Sequence, residues 1–133
     1  MKGVRKIELP VYGDGRGCLS FIEKGADLPF DVKRMYFLYD VPSDQNRGHH
    51  AHKDLRQCIF AFSGSFKVRF KDGKGNECDF LLTKPNECLL VERPLWRELS
   101  DFSQGAMCVV LASDCYGEDD YIRNYQDFID YVS

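Results

Sequence analysis

The stretch NRGHHAHKDLRQ, residues 46–57, holds all three histidines of the chain within four positions, with Arg47 and Arg56 beside them. A metal site, a proton-transfer site and a solvated surface cluster all fit such a grouping. The period of a strand divides it. Residues two apart share one face of a strand, so His50 and His52 point into the same interior while His49 points the other way, toward packing or solvent.

The surrounding sequence supports a strand. Turn signals recur at short intervals: YGDGRG, EKGADLP, DVPSDQNRG, FSGS, KDGKGN, TKPNE, VERP and DFSQG. Between them lie short runs rich in aromatic and β-branched residues: RMYFLYDV, QCIFAFSG, SFKVRFK, CDFLLT, ECLLVE and MCVVLAS. Many short strands joined by turns predict an all-β sandwich or barrel. In SFKVRFK, Phe66, Val68 and Phe70 alternate with Lys67, Arg69 and Lys71, the pattern of a half-buried strand. Only DDYIRNYQDFIDYVS at the C-terminus reads as helical, with Tyr121, Ile122, Tyr125, Phe128, Ile129 and Val132 at three- and four-residue steps.

A chain of 133 residues fits one domain, residues 1–133. Its 44% hydrophobic content supports a packed core, and a net charge of −3 without basic blocks argues against a nucleic-acid surface. No apolar run approaches the roughly 18–20 residues needed to cross a bilayer. The N-terminus MKGVRKIELP has no apolar signal core, which predicts a cytoplasmic protein. The six cysteines lack zinc spacing and several sit in apolar runs, so buried free thiols are expected.

The histidine pair has the spacing of the cupin motif, G-x5-H-x-H-x(3,4)-E-x6-G. Four residues separate His52 from Gln57, which stands in place of the motif's acid, and six more separate Gln57 from Gly64. The second cupin motif brings another histidine on a later strand; in ERPLWRELSDF that place is held by Arg97. A metal would face two imidazoles, a neutral amide and a cation, whereas three or four histidine and carboxylate ligands are the usual requirement. No metal and no other cofactor is therefore expected. Proton transfer suits the same residues: imidazoles change charge near neutral pH, and an inward-pointing Arg97 stabilises a developing oxyanion.

The chain resembles, nearly end to end, the cupin-superfamily sugar 3,4-ketoisomerases that act on dTDP-4-keto-6-deoxyglucose, close to the WxcM-like group. The resemblance is carried by GRGCLSFIE, PFDVKRMYFLYDV, RGHHAHKDLRQ, PLWRELSDFS and VVLASDCYGEDDYIRNYQDFIDY. It implies a cupin jelly-roll β-barrel with a short C-terminal helix. It also implies a metal-independent isomerase that moves a ketone from sugar C4 to C3 through an enediol, in the biosynthesis of 3-amino-3,6-dideoxyhexoses for surface glycans such as lipopolysaccharide. His50 and His52 fall on the acid/base pair, with His52 the first choice for the base. Arg16, Tyr36, Arg47, Trp96 and Arg97 fall on positions that contact substrate; for Tyr36 and Trp96 the alternative is core packing, for the surface arginines solvation.

Galacto-type members tend to carry arginine in the early turn and histidine after the tryptophan, gluco-type members tyrosine and arginine. This chain has one feature of each, Arg16 and Arg97. The family resemblance further implies a homodimer in which an N-terminal strand crosses to the partner. A non-catalytic nucleotide-sugar-binding cupin and a metal-dependent cupin oxygenase or isomerase are the competing readings. A dTDP-sugar 3,5-epimerase is disfavoured by the HxH pair.

Overall fold

Phe66, Val68 and Phe70 are fully buried along β7 (Phe66–Lys71) and their lysine and arginine neighbours are half-exposed, the alternation read from the sequence. The computed structural model describes all residues, 1–133. Two five-stranded antiparallel sheets face each other. The first runs β1 (Val4–Glu8), β9 (Glu87–Val91), β6 (Gln57–Ser63), β11 (Met107–Ala112), β4 (Arg34–Tyr39). The second runs β12 (Tyr121–Ile122), β5 (Arg47–His52), β10 (Trp96–Ser100), β7, β8 (Glu77–Leu82). The pairs β7–β8, β6–β9, β5–β10 and β4–β11 are nested about one another, as when a long antiparallel hairpin is rolled up. This is the jelly roll. It is a two-sheet sandwich rather than a barrel closed by hydrogen bonds all round.

The main core lies between the sheets: Ile59, Leu89, Val91, Cys108 and Val110 meet Phe66, Val68, Phe70, Leu82 and Leu99. Gly64 shows why a turn residue is needed at the end of β6. Its φ is +67°, and an added Cβ would come 2.7 Å from the Ala106 backbone. All six cysteines are free; Cys58, Cys88 and Cys108 are buried, Cys78 is half-buried, and Cys18 and Cys115 are exposed. No helix is long and apolar enough to cross a membrane.

One expectation changes. The helix is confined to α1 (Tyr125–Val132). Asn124 caps it: its backbone is extended and its side chain accepts from the Asp127 amide at 3.0 Å. Upstream, Glu118–Asp120 make a single 3-10 turn, and Tyr121 and Ile122 pair with His52 and Ala51 as β12. The helical spacing of Tyr121 and Ile122 was misleading because their apolar side chains serve an edge strand. The N-terminal strand β1 pairs with β9 of its own chain through five residue pairs from Val4–Val91 to Glu8–Glu87. The segment without a sheet partner in its own chain is the hairpin of β2 (Tyr12–Asp14) and β3 (Gly17–Leu19).

Candidate active site

His50 and His52 lie on β5 with Ala51 between them packed outward against Trp96, Ile122 and Phe128. Alternation sends both imidazoles inward, where their centroids are 4.9 Å apart with nearly perpendicular planes. A bulge precedes them: Arg97 pairs with His50 and Glu98 with Gly48, leaving His49 as the extra residue. Gly48 has φ +86°, and a Cβ there would stand 3.0 Å from the Arg97 carbonyl oxygen. His49 has φ +55° and is exposed at the cavity mouth, off the face of its two neighbours.

The cavity measures about 480 Å³. His50, Tyr36, Arg97 and Tyr121 line its polar side; Leu38, Ile59, Leu99, Cys108 and Val110 line the apolar side. Arg97 is 2% exposed. It donates to the Leu95 carbonyl from Nε and Nη2, each at 3.3 Å, and from Nη1 to the Gln57 Oε1. These partners are neutral, so a buried cation sits beside the cavity without a contacting carboxylate. Gln57 Nε2 donates to the Tyr36 hydroxyl at 2.8 Å. The tyrosine oxygen thus has a donor already, and its own proton is free for another acceptor. Burial raises the Tyr36 pKa, keeping the phenol protonated.

The tyrosine ring of β12 covers the histidines, with Tyr121 4.4 Å from His52 and 5.2 Å from His50, centroid to centroid. Just before it, Asp120 Oδ2 lies 2.9 Å from His52 Nδ1. Asp120 is held in place by two amides: Asp54 N–H donates to its Oδ1 at 2.8 Å and Lys53 N–H to its carbonyl at 2.9 Å. An ionised carboxylate only accepts, so His52 Nδ1 carries the hydrogen and Nε2 keeps a lone pair. That Nε2 is buried and without a partner, as is Nε2 of His50. Burial, reinforced by the Arg97 charge, lowers the pKa of His50 to about 4 and of His52 to about 2. The Asp120 contact opposes the shift at His52, but the direction stands because desolvation and the guanidinium both act against the imidazolium. Both rings rest neutral, ready to accept a proton.

Two outcomes follow from those depressed values. The kcat/KM profile should stay level from about pH 8 to about pH 5, with no acid limb near 6.5; an acid limb near 6.5 in initial rates would contradict neutral resting imidazoles. Unfolded histidine titrates near 6.5. Between about 6.5 and 4 the unfolded chain therefore binds protons that folded His50 does not. Stability should fall as pH drops through that window, by up to about 1.4 kcal/mol per unit for each such histidine, read by urea unfolding at pH 7 and pH 5.

The sequence-predicted residues divide as follows. His50, Tyr36, Arg47 and Arg97 line the cavity, and His52 lies directly beside them. Trp96 does not: β10 turns it outward, where it is 4% exposed, packs on Tyr125 and Phe128 and donates from Nε1 to Glu98 at 3.0 Å. Strand alternation cannot send both Trp96 and Arg97 inward, so Trp96 anchors α1 and is not a wall of this cavity. Arg16 is also outside it. It sits at the tip of the β2–β3 hairpin, 91% exposed and paired with Asp14 at 2.8 Å. Sequence reasoning missed Asp120, Tyr121 and Arg123, because the helical reading of their segment hid the strand that brings them to β5. Gln57 was seen only as an absent metal ligand. No group of three or more His, Cys, Asp or Glu side chains is placed to hold a metal.

A jelly roll with a histidine pair aimed between its sheets, one of the pair backed by a carboxylate, defines a cupin built for proton transfer. A family model described as FdtA, WxcM-like, C-terminal matches residues 2–133, and the chain belongs to that family. It is 40% identical over 120 residues, 90% of this chain and 86% of the relative, to a TDP-4-oxo-6-deoxy-α-D-glucose-3,4-oxoisomerase of Aneurinibacillus thermoaerophilus. Among solved structures it is similar to a histidine-to-asparagine mutant of the 3,4-ketoisomerase QdtA from Thermoanaerobacterium thermosaccharolyticum in complex with TDP-4-keto-6-deoxyglucose. That match has TM-score 0.95 and 39% identity, covering 99% of this chain and 95% of the other. It is likewise similar to the WlaRB TDP-quinovose 3,4-ketoisomerase of Campylobacter jejuni, with TM-score 0.92 and 38% identity, covering 98% and 99%.

Proposed function

We propose that this single cupin-type domain, residues 1–133, is a sugar 3,4-ketoisomerase that converts TDP-4-keto-6-deoxyglucose to a TDP-3-keto-6-deoxyhexose, using its own side chains as acid and base. The observation that carries the reading is the pair of neutral, buried imidazoles with free Nε2 atoms beside an uncompensated Arg97. The named relatives support the substrate.

The C4 ketone acidifies the proton on C3. His52 Nε2 takes that proton; the C–H pair becomes the C3–C4 double bond and the carbonyl pair moves onto O4. Negative charge then appears in a cavity that already holds an unpaired guanidinium, and low local dielectric makes that attraction strong. Arg97 is suited to this role because it stays protonated and gives charge rather than a proton. As His52 becomes an imidazolium, the Asp120 carboxylate stabilises it and the enediolate offsets the repulsion from Arg97. Reprotonation at C4 by the histidine pair, with the O3 proton passing to O4, completes the isomerisation. The Tyr36 hydroxyl is oriented by Gln57 to exchange a proton with those oxygens.

The test is direct. Protein freed of metal with a chelator is incubated with TDP-4-keto-6-deoxyglucose, a 3-aminotransferase and an amino donor. A 3-amino sugar is the expected product. TDP binding without turnover would favour a non-catalytic binder, and activity requiring added iron or zinc would favour a metal-dependent cupin.

The protein is further read as a cytoplasmic homodimer, its product consumed in making 3-amino-3,6-dideoxyhexoses for lipopolysaccharide-type glycans. Six free thiols suit a reducing compartment. The dimer reading rests on apolar surface. Met35, Phe37 and Tyr39 on edge strand β4 are each about half exposed or more, as is Phe62 on β6, and Val11, Tyr12, Leu19 and Phe21 expose a second apolar set around the hairpin. In that dimer the N-terminal strand is read as exchanging with the partner, and the β2–β3 hairpin beside it has no sheet partner in its own chain. Light scattering should give twice the 15.4 kDa chain mass, and Phe37→Asp should shift the protein to monomer; a monomeric wild type would end this reading.

A further inference from the structure

Gln57 opens β6, the central strand of the first sheet, and is fully buried. Its amide spans the sandwich. Oε1 accepts from Arg97 Nη1 on β10 of the second sheet, and Nε2 donates to the Tyr36 hydroxyl on β4 at 2.8 Å. This orientation of the amide is forced, because a guanidinium only donates and so must meet the oxygen. The NH2 end is thereby turned to Tyr36, whose oxygen has to accept. One cation thus fixes the direction of two hydrogen bonds in series and leaves the phenol proton for the cavity.

The cupin pattern carries a carboxylic acid at this position, and glutamate matches glutamine in size. It would act differently. A glutamate buried beside Arg97 ionises, and an ionised carboxylate accepts from every neighbour. Arg97 would become half of an ion pair, and Tyr36 would donate to the carboxylate instead of into the cavity. Asp120, the carboxylate whose field reaches Arg97, is already bonded to His52, and Leu95 offers the guanidinium only a neutral carbonyl. The free charge of Arg97 therefore depends on the residue at 57.

We propose that Gln57 is a positioning residue of the isomerase and that its neutrality is what the reaction needs: it holds Arg97 without cancelling the charge, and it aims the Tyr36 proton at the substrate oxygens. This rests on the ketoisomerase reading above. Full guanidinium charge is then available to the enediolate, and the hydroxyl is set as a donor before substrate arrives.

The experiment measures steady-state kinetics on TDP-4-keto-6-deoxyglucose for wild type, Gln57→Glu, Gln57→Met, Tyr36→Phe and each Gln57 variant combined with Tyr36→Phe. A chelator is present throughout, because glutamate restores the acid of the metal-binding pattern. Glutamate keeps both contacts and methionine removes both, so a merely structural role makes Gln57→Glu the milder change. The proposal requires the reverse. Gln57→Glu should lower kcat about 100- to 1,000-fold and Gln57→Met about tenfold, each with KM within about threefold of wild type. Tyr36→Phe should add little in the Gln57→Glu background, where the hydroxyl already points away. An acid limb should also enter the kcat/KM profile of Gln57→Glu above about pH 5, since the new carboxylate offsets the guanidinium that helps keep both imidazoles neutral. A Gln57→Glu rate equal to or above that of Gln57→Met would overturn the proposal, as would a full added loss from Tyr36→Phe in the Gln57→Glu background. TDP binding and urea unfolding report whether each variant is folded. If Gln57→Glu is not, the pair Gln57→Met and Tyr36→Phe decides: less than additive losses are expected, and additive losses would overturn the proposal. A wild type without turnover would remove the ketoisomerase reading with it, whereas a working wild type and an indifferent Gln57→Glu would remove this inference alone.

Discussion

His52→Asn is expected to lower kcat by about 10³- to 10⁴-fold while leaving TDP affinity within a fewfold of wild type. The asparagine amide nitrogen falls near the place of Nδ1 and keeps a donor toward Asp120, which lies 2.9 Å from that atom. The interior of the sandwich therefore keeps its polar contact and loses only the lone pair at Nε2. No other group offers a buried free nitrogen backed by a carboxylate. His50 Nε2 is also free, but its ring is supported only by the Gly48 carbonyl. Proton NMR in deuterated water reads the step itself: wild type should exchange the sugar C3 hydrogen and His52→Asn should not. Full exchange in that mutant, with loss of exchange in His50→Asn, would give the role of base to the other ring.

The second large effect is expected from Asp120→Asn, a change of one atom outside the cavity. Asp54 N–H fixes Oδ1 at 2.8 Å, so the asparagine must keep its oxygen there and turn its amide toward His52. An amide N–H facing Nδ1 forces the other tautomer, in which Nε2 carries the hydrogen and cannot accept one. The loss of carboxylate also removes the stabilisation of the imidazolium. A fall in kcat of about 10²- to 10⁴-fold with little change in KM is expected, by the tautomer logic of carboxylate–histidine pairs. A rate near wild type would mean that Asp120 is merely structural and that the base lies elsewhere.

These two residues illustrate different degrees of legibility. His52 could be picked from sequence because an HxH spacing forces a shared face in any strand. Arg97 could be picked because it replaces a ligand in the second half of the cupin pattern, and its 2% exposure agrees with an inward position. Trp96, its immediate neighbour, was grouped with it on the strength of the motif. The same alternation that brings Arg97 in turns Trp96 out, against Tyr125 and Phe128. Asp120 was invisible for another reason. Its segment carries apolar residues at spacings compatible with either helix or strand, and short periodic signals do not separate the two. What decides is β5, whose free edge accepts Tyr121 and Ile122 as partners and so draws Asp120 to the back of His52.

The sequence by itself determined the alternation of β7, the placing of a turn at Gly64, the common face of His50 and His52, and the lack of a complete ligand set for a metal. Each is a property of residue type and spacing along one strand or turn, where local sterics and period suffice. Only the tertiary structure decided which residues meet across the sandwich. Gln57 links Tyr36 to Arg97 from a third strand, Asp120 reaches His52 across 68 positions of chain, and Arg123 arrives beside Arg47 on a neighbouring strand. Those contacts join strands remote in sequence, and they are set by sheet order and by which edges remain unpaired, quantities that no local stretch of the chain contains.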